Sequence, residues 1–309
     1  MLNNSNGIKI YFSSCSYSLA EEYKEMCPND EFNILFSHGI CDRKYLNMND
    51  EKRSIINSLI CDSGTFSLNN SKANKSKKKP KKKPKKITIN GYIALAKSLS
   101  KYVDFFLNFD TNFTLNGFQD NYKNMKILEE NGIKVVPVVH DYLSENFDEI
   151  AVYLKEKHPI IALGASPHKR EKNISYAVNR IVDGGAKVHL LGVTDPEILR
   201  YMPVHYCDST SYATGQQYGT IKFWNPYYNI TESIYMLDRV GSEFRKPDHI
   251  GNYQNYNHFE EFLSSLGLTI FDIIGHRKTV YRKMVNMKYF ITMQDIIRKE
   301  HKQRGFKMD

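Results

Sequence analysis

Eight short apolar runs constrain the fold of this chain more than any other feature of its sequence. Most are bounded by Gly, Asp or Pro, and several are apolar at every position, as strands buried on both faces of a parallel sheet must be. The predicted strands span 8–12, 33–37, 58–61, 103–109, 134–139, 159–163, 187–191 and 204–207. Helical patterns lie between the later ones, at 91–101, 118–131, 144–157, 170–183 and 195–201.

This alternation predicts an α/β fold with a parallel sheet, and eight strands favour a closed (β/α)8 barrel, the TIM barrel. A doubly wound open sheet is the alternative, but no G-x-G-x-x-G follows the first strand, which weakens a dinucleotide-binding interpretation. We predict that residues 1–220 form the barrel core, with a Lys-rich insertion at 70–87. Residues 221–309 are predicted to form an extension packed on the barrel, ending in a long amphipathic helix at about 276–300.

Polar residues or glycines follow most of the predicted strands. In a (β/α)8 barrel these positions meet at the C-terminal face, where active sites lie. A single aspartate at a strand end can equally be a turn or cap residue, but six such strand ends favour a shared functional site. They are Asp62 in CDSGTF, Asp110 in NFDTNF, His140 in VVHDY, Gly164 in ALGAS, Gly192 in LLGVT and Asp208 in CDSTS.

The net charge of +9 comes from one segment of the chain. Residues 72–86 contain ten lysines and no acid, and the rest of the chain holds 33 basic and 34 acidic residues. Such a segment cannot fold alone and is either a solubilising insertion or an extended contact to a phosphate backbone. The second hypothesis gives the protein a nucleic-acid partner, bound without sequence preference. The residues predicted to make these contacts are Lys77, Lys78, Lys79, Lys81, Lys82 and Lys83.

Several protein classes are disfavoured by the sequence. No apolar run is long enough to span a bilayer, and the N-terminus lacks the pattern of a secretion signal, so we expect a cytoplasmic protein without a membrane partner. The five cysteines form no CxxC pair, which favours free thiols over disulfides or structural zinc. No metal and no cofactor are predicted. The metal-dependent alternative would use Asp62, Asp110 and His140, which have no recognisable ligand spacing.

The motifs at the strand ends resemble those of the tRNA-guanine transglycosylases and their DNA-acting relatives. They occur in the family's order, over roughly residues 55–220. LICDSGTFSL and FLNFDTNF are similar to the segments that carry the two base-contacting aspartates, the first in a D-S-G-G-F-Q context. IIALGAS is similar to the strand end whose glycine meets the base through its backbone, and VHLLGVTDPEIL resembles L-M-G-V-G-x-P. VHYCDSTSYATGQQYG occupies the place of the nucleophilic aspartate.

The resemblance implies an enzyme that exchanges a purine base on a nucleotide through a covalent aspartyl intermediate. Asp208 would be the nucleophile. Asp62 and Asp110 would accept hydrogen bonds from guanine or a 7-deazaguanine, and Asp62 would also carry the proton. The remaining residues of the base-binding pocket would be Ser63, Gly64, His140, Gly164, Ala165 and Gly192.

The chain departs from the family pattern at several positions. In the D-S-G-G-F-Q motif, Thr65 replaces the second glycine and Ser67 replaces the glutamine. His140 occupies the position at which the family usually has a base-reading glutamine. Ala165 replaces the second glycine of the family's G-G pair. No cysteine follows Cys207, so the family's zinc element, which helps to bind tRNA, is absent. The resemblance therefore favours the branch that inserts 7-deazaguanines into DNA, often carried by phages and mobile elements. A tRNA enzyme, a non-catalytic nucleic-acid-binding barrel and a two-carboxylate hydrolase remain alternatives, and a protein partner or a homodimer is left open.

Overall fold

The computed structural model describes residues 7–39, 42–66, 87–236 and 248–308. The strands are β1 Lys9–Ser13, β2 Asn33–Ser37, β3 Ser58–Asp62, β4 Phe105–Leu107, β5 Val135–Val136, β6 Val138–Val139, β7 Ile160–Leu163, β8 Lys187–Leu190, β9 Tyr206–Ser209, β10 Thr220–Asn225 and β11 Ile230–Tyr235. The helices are α1 Tyr17–Met26, α2 Arg43–Leu46, α3 Asp50–Ser54, α4 Ile89–Leu99, α5 Phe118–Glu130, α6 Glu149–Lys155, α7 Glu171–Asp183, α8 Pro196–Leu199, α9 Thr214–Gln217, α10 Tyr256–Ser264, α11 Ile270–Ile274 and α12 Lys278–Gln303.

Strands β1 to β9 form a closed parallel barrel. The sheet order is β5-β4-β3-β2-β1-β9-β8-β7-β6, and every pair in it is parallel. Its two ends, β5 and β6, are parts of one strand divided at Pro137, which has no N–H to donate. Val136 pairs with β4 and Val138 pairs with β7, so this strand joins both edges of the sheet. The predicted (β/α)8 barrel is confirmed.

Side chains of the barrel strands alternate between two apolar environments. The inward-facing ones fill the barrel and form one cluster, and the outward-facing ones pack beneath the helices in a larger cluster. This double burial explains why the strands read as continuous apolar runs. The interior cluster consists of Tyr11, Leu35, Ile60, Phe105, Leu107, Val136, Val138 and Ala162.

Helix α12 is buried on more of its surface than an amphipathic helix on a barrel would be. Met287 and Phe290 belong to the larger cluster between the barrel and its helices. Val285 belongs to a separate cluster formed with residues of β10, β11, α10 and α11. Gln294 Oε1 accepts hydrogen bonds from the backbone N–H of Ile10 and from Asn33 Nδ2. The predicted packing of the C-terminal helix on the barrel is confirmed, and the β10–β11 hairpin covers a second face of this helix.

Three further sequence-based expectations concern the Lys-rich insertion, the cysteines and membrane-spanning helices. The Lys-rich insertion, with Lys77, Lys78, Lys79, Lys81, Lys82 and Lys83, lies outside the described residues. Cys15, Cys27, Cys61 and Cys207 are free thiols. Within the described ranges, no helix combines the length and the apolar character needed to cross a bilayer.

Candidate active site

A cavity of about 450 Å³ opens at the C-terminal ends of the barrel strands. Its wall is formed by residues at the C-terminal ends of the barrel strands and by residues that follow them, and its volume is in the range of small-molecule sites. Most of the residues predicted from the sequence line it: Asp62, Ser63, Asp110, His140, Gly164, Ala165, Gly192 and Asp208. Gly64 does not line the cavity, but its backbone N–H donates to Asp62 Oδ2 at 2.9 Å.

Asp208 is the third residue of β9, and its carboxylate is held by three hydrogen-bond donors. Its Oδ2 accepts from the Ser13 hydroxyl at 2.6 Å, and its Oδ1 accepts from His189 Nε2 at 3.0 Å. The backbone N–H of Gly192 lies 3.4 Å from the same Oδ1. A buried carboxylate with donors on both oxygens has a defined orientation, and its polar atoms are paired.

Asp62, at the end of β3, has a carboxyl group that can exchange a proton near neutral pH. Burial raises its pKa to about 6, and the charges of Asp208 and Asp110 act in the same direction. The hydrogen bond from the Gly64 N–H and the nearby Ser37 hydroxyl oppose this shift. Because general acid–base catalysis is most efficient when the pKa lies near the working pH, Asp62 is suited to transferring a proton.

Asp110 and His140 form a buried pair in the cavity wall. His140 Nδ1 donates to the backbone oxygen of Ala165 at 2.7 Å, and its Nε2 lies 3.1 Å from Asp110 Oδ2. Burial disfavours the charged imidazole, but the hydrogen bond and the charge of Asp110 outweigh it and raise the pKa of His140. The other oxygen of Asp110 accepts from Asn108 Nδ2 at 2.6 Å. Asp110 is thus already paired within the protein, although a carboxylate can accept further hydrogen bonds.

Glu149 contacts the backbone of His140 and lies outside the cavity wall. Its Oε2 accepts from the backbone N–H of His140 at 2.8 Å, and the side chain is 1% exposed. Burial raises the pKa of Glu149 to about 7. Its carboxyl group therefore helps to set the backbone position of His140 without touching the cavity.

Several residues in or next to the cavity wall were not identified from the sequence. Ser13 and His189 hold Asp208, and the only signal for His189 was a polar residue inside a predicted apolar strand. Lys169 lines the cavity and donates to the backbone oxygen of Leu191; burial lowers its pKa, while the charge of Asp208 opposes that shift. No sequence pattern indicated Lys169.

Two aromatic rings in the cavity wall were also missed. Phe66 and Phe113 meet edge to face, with ring centroids 5.3 Å apart, and Phe113 meets His140 in the same way at 5.4 Å. Phe66 is 45% exposed, so part of its ring is open to solvent. Flat apolar surfaces of this kind suit a planar heterocyclic ligand.

A metal-dependent site gains no support. Across the ranges that the structure describes, no group of three or more His, Cys, Asp or Glu side chains is arranged to hold a metal ion. The carboxylates at the cavity are instead engaged by hydrogen-bond donors from the protein.

Comparison with known proteins identifies no family. No protein-family model matches the chain, and no curated protein matches it. Tryptophan synthase subunit alpha from Legionella pneumophila str. Paris is 8% identical, with 68% of this chain and 82% of that chain covered and a TM-score of 0.41. A chain of the tryptophan synthase complex from Pyrococcus furiosus is 14% identical, with coverage of 70% and 92% and a TM-score of 0.41. The YdjI aldolase from Escherichia coli K12 is 8% identical, with coverage of 96% and 95% and a TM-score of 0.43. At this degree of overlap the similarity assigns no activity to this chain.

Proposed function

We propose that this chain is a cytosolic base-exchange transglycosylase that replaces guanine in DNA by a 7-deazaguanine. The observation that carries the proposal is the convergence of Asp62, Asp110 and Asp208 on one cavity, with Asp208 oriented by donors on both oxygens. The order of the strand-end motifs, which resembles that of the transglycosylase family, supports the same chemistry.

In the first half-reaction, the Asp208 carboxylate attacks C1′ of the target nucleotide. The C1′–N9 bond breaks, its electron pair goes to the departing guanine, and a carboxylate–C1′ bond forms. Asp62, protonated in part because its pKa is raised to about 6, donates a proton to the leaving base. The sugar remains attached to the protein as a glycosyl ester, which holds the abasic position while the bases exchange.

The second half-reaction reverses these steps with the new base. Asp62, now ionised, removes the proton from the ring nitrogen of the 7-deazaguanine, and that nitrogen attacks C1′. Asp208 leaves as a carboxylate, so neither protons nor electrons are gained or lost over the cycle. The target base must leave the helical stack to reach a cavity at the end of a barrel.

The remaining cavity residues are assigned to base binding. Asp110 would accept hydrogen bonds from the N–H groups of the base while His140 holds its Oδ2 in place. Phe66 and Phe113 offer ring surface to the heterocycle, and the lysines of the 70–87 insertion would bind the phosphate backbone.

The test is a labelled-guanine exchange assay combined with trapping of the intermediate. Radiolabelled guanine is incubated with the protein and either duplex DNA or tRNA, and a second sample without free base is denatured and run on a gel. We expect label in DNA and a protein–DNA adduct, both lost in Asp208→Asn. Asp183→Asn, at the exposed end of α7 and outside the cavity, is the matched control and should behave as the wild type.

The other outcomes separate the alternatives. Label and adduct with tRNA alone would move the substrate to tRNA and keep the chemistry. DNA binding that weakens with salt, with neither exchange nor adduct, would contradict the enzyme and favour a binding subunit. Release of free guanine without incorporation would favour a hydrolase.

A further inference from the structure

His189 contacts Asp208 from beneath the cavity. The two residues lie on adjacent parallel strands, since His189 of β8 pairs with Tyr206 of β9. The His189 side chain is fully buried and does not line the cavity. It therefore cannot touch a bound nucleotide, and any influence on the reaction must pass through Asp208.

The imidazole of His189 is fixed by aromatic neighbours. It stacks on Tyr11, with centroids 5.9 Å apart and an angle of 21°, and meets the edge of Phe105 at 6.2 Å and 88°. Because an ionised carboxylate only accepts hydrogen bonds, Nε2 must carry the proton that it shares with Asp208. Nδ1 has no hydrogen-bond partner among the described residues. With its proton on Nε2 and none on Nδ1, the His189 ring places no unpaired N–H in the barrel interior.

The two oxygens of Asp208 have different surroundings. Oδ1 faces two donors, His189 Nε2 at 3.0 Å and the backbone N–H of Gly192 at 3.4 Å. Among the described residues, the donor to Oδ2 is Ser13, a residue that lines the cavity. Oδ1 is thus held by a side chain from the barrel interior that does not line the cavity, whereas the side-chain donor to Oδ2 belongs to a residue of the cavity wall.

We infer that His189 is a positioning residue that anchors Oδ1 of Asp208, so that Oδ2 is the oxygen that attacks C1′. The inference rests on the proposed function. As the Oδ2–C1′ bond forms and the C1′–base bond breaks, Oδ1 becomes the carbonyl oxygen of the ester and keeps its two donors. His189 neither gains nor loses a proton, and Ser13 keeps its own proton while its bond to Oδ2 weakens. When the carboxylate is released, the same anchor restores its starting orientation.

The test compares the single-turnover rate of adduct formation with the Kd for guanine-containing DNA. His189→Phe keeps a flat ring of similar size but removes the donor, and we expect the rate to fall about 100-fold, the order of loss caused by a small misplacement of a reacting group. The Kd should stay within about threefold, because His189 does not line the cavity. His189→Gln can place an amide N–H near Asp208 and should recover at least about tenfold of the lost rate.

His301→Phe is the control for loss of a buried histidine hydrogen bond. His301 is 1% exposed, its Nε2 donates to the Leu199 backbone oxygen at 2.7 Å, and it lies outside the cavity wall. Its Tm should fall while its rate stays that of the wild type. If His189→Phe does not fold, His189→Asn, whose amide is too short to reach Asp208, replaces it in the comparison with His189→Gln.

The outcomes for this inference are distinct from those for the proposed function. If the wild type forms no adduct, the proposed function itself is contradicted. An adduct formed equally fast by the wild type and by His189→Phe would overturn the positioning role and leave the proposed function standing. Equal losses in the donor-free variant and in His189→Gln would reduce His189 to a packing residue.

Discussion

His140 packs on Gly164 so closely that no side chain fits between them. A Cβ atom added to Gly164 would lie 2.9 Å from His140 Cε1 and 2.6 Å from Val138 Cγ1. The sequence-based hypothesis gave Gly164 the role of letting a bound base approach the backbone. In the structure, the missing side chain of Gly164 leaves the space that the His140 imidazole occupies where it pairs with Asp110.

Gly164→Ala should therefore disturb both packing and the His140–Asp110 pair. Because the added methyl group meets two side chains inside a closed barrel, we expect a loss of about 1–3 kcal/mol in the free energy of unfolding. Denaturant titration measures this loss, and base exchange should fall with it. Gly91→Ala is the control, since the nearest atom to its added Cβ is the Thr88 hydroxyl at 3.2 Å. Equal stability of the two variants would contradict the close packing.

Asp62→Asn should remove the proton carrier while leaving the fold in place. We expect the rate of base exchange to fall by about 10²–10⁴-fold. The wild-type rate of adduct formation should decline as the pH rises above about 6, because burial raises the pKa of Asp62 to that value and the first step needs its acid form. The variant should lack this decline. Stopped samples taken across the pH range measure both effects, and a wild-type exchange rate in Asp62→Asn would exclude the role.

Glu149→Gln should stabilise the protein at alkaline pH. Burial raises the pKa of Glu149 from 4.5 to about 7, so the folded state holds its proton at a higher pH than the unfolded chain does. The contribution of Glu149 to stability therefore falls as the pH rises from 4.5 to about 7. The amide can still accept from the His140 N–H without this cost.

We expect Glu149→Gln to exceed the wild type by at most about 3 kcal/mol at pH 8, with the difference vanishing towards pH 4. Unfolding in denaturant at the two pH values measures it. Glu130→Gln, on the exposed end of α5, should show no such difference. A gain that is the same at both pH values would mean that the buried charge is not its cause.

The Lys-rich insertion should supply the salt dependence of nucleic-acid binding. Replacing residues 72–86 by a Gly/Ser segment of equal length should flatten the plot of log Kd for DNA against log salt, because fewer counterions are released. The Tm should not change, since the segment has no apolar side chains to bury beyond one alanine. Binding measured from about 50 to 200 mM salt provides the slope, and an unchanged slope would refute this role.

Much of the barrel was predictable from local sequence. Each predicted strand is present, and Pro137 inside an apolar run marks the point at which one strand divides between two neighbours. Helix α1 was missed because its buried face contains Tyr17 and Tyr23 among charged residues, a pattern weaker than an aliphatic stripe. The two-sided burial of α12 was missed for a different reason: the hairpin that covers it is distant in sequence.

Local sequence patterns were enough to predict the barrel and the convergence of Asp62, Asp110 and Asp208 on its C-terminal face, because parallel strands carry the residues that follow them to one end of the sheet. The neighbours of those carboxylates could be read from the folded structure alone. His189 reaches Asp208 because β8 lies against β9 in a fixed register, and His140 contacts Asp110 in the cavity wall. Such contacts depend on the closure of the barrel and on the direction of each side chain, which a local pattern of residues does not specify.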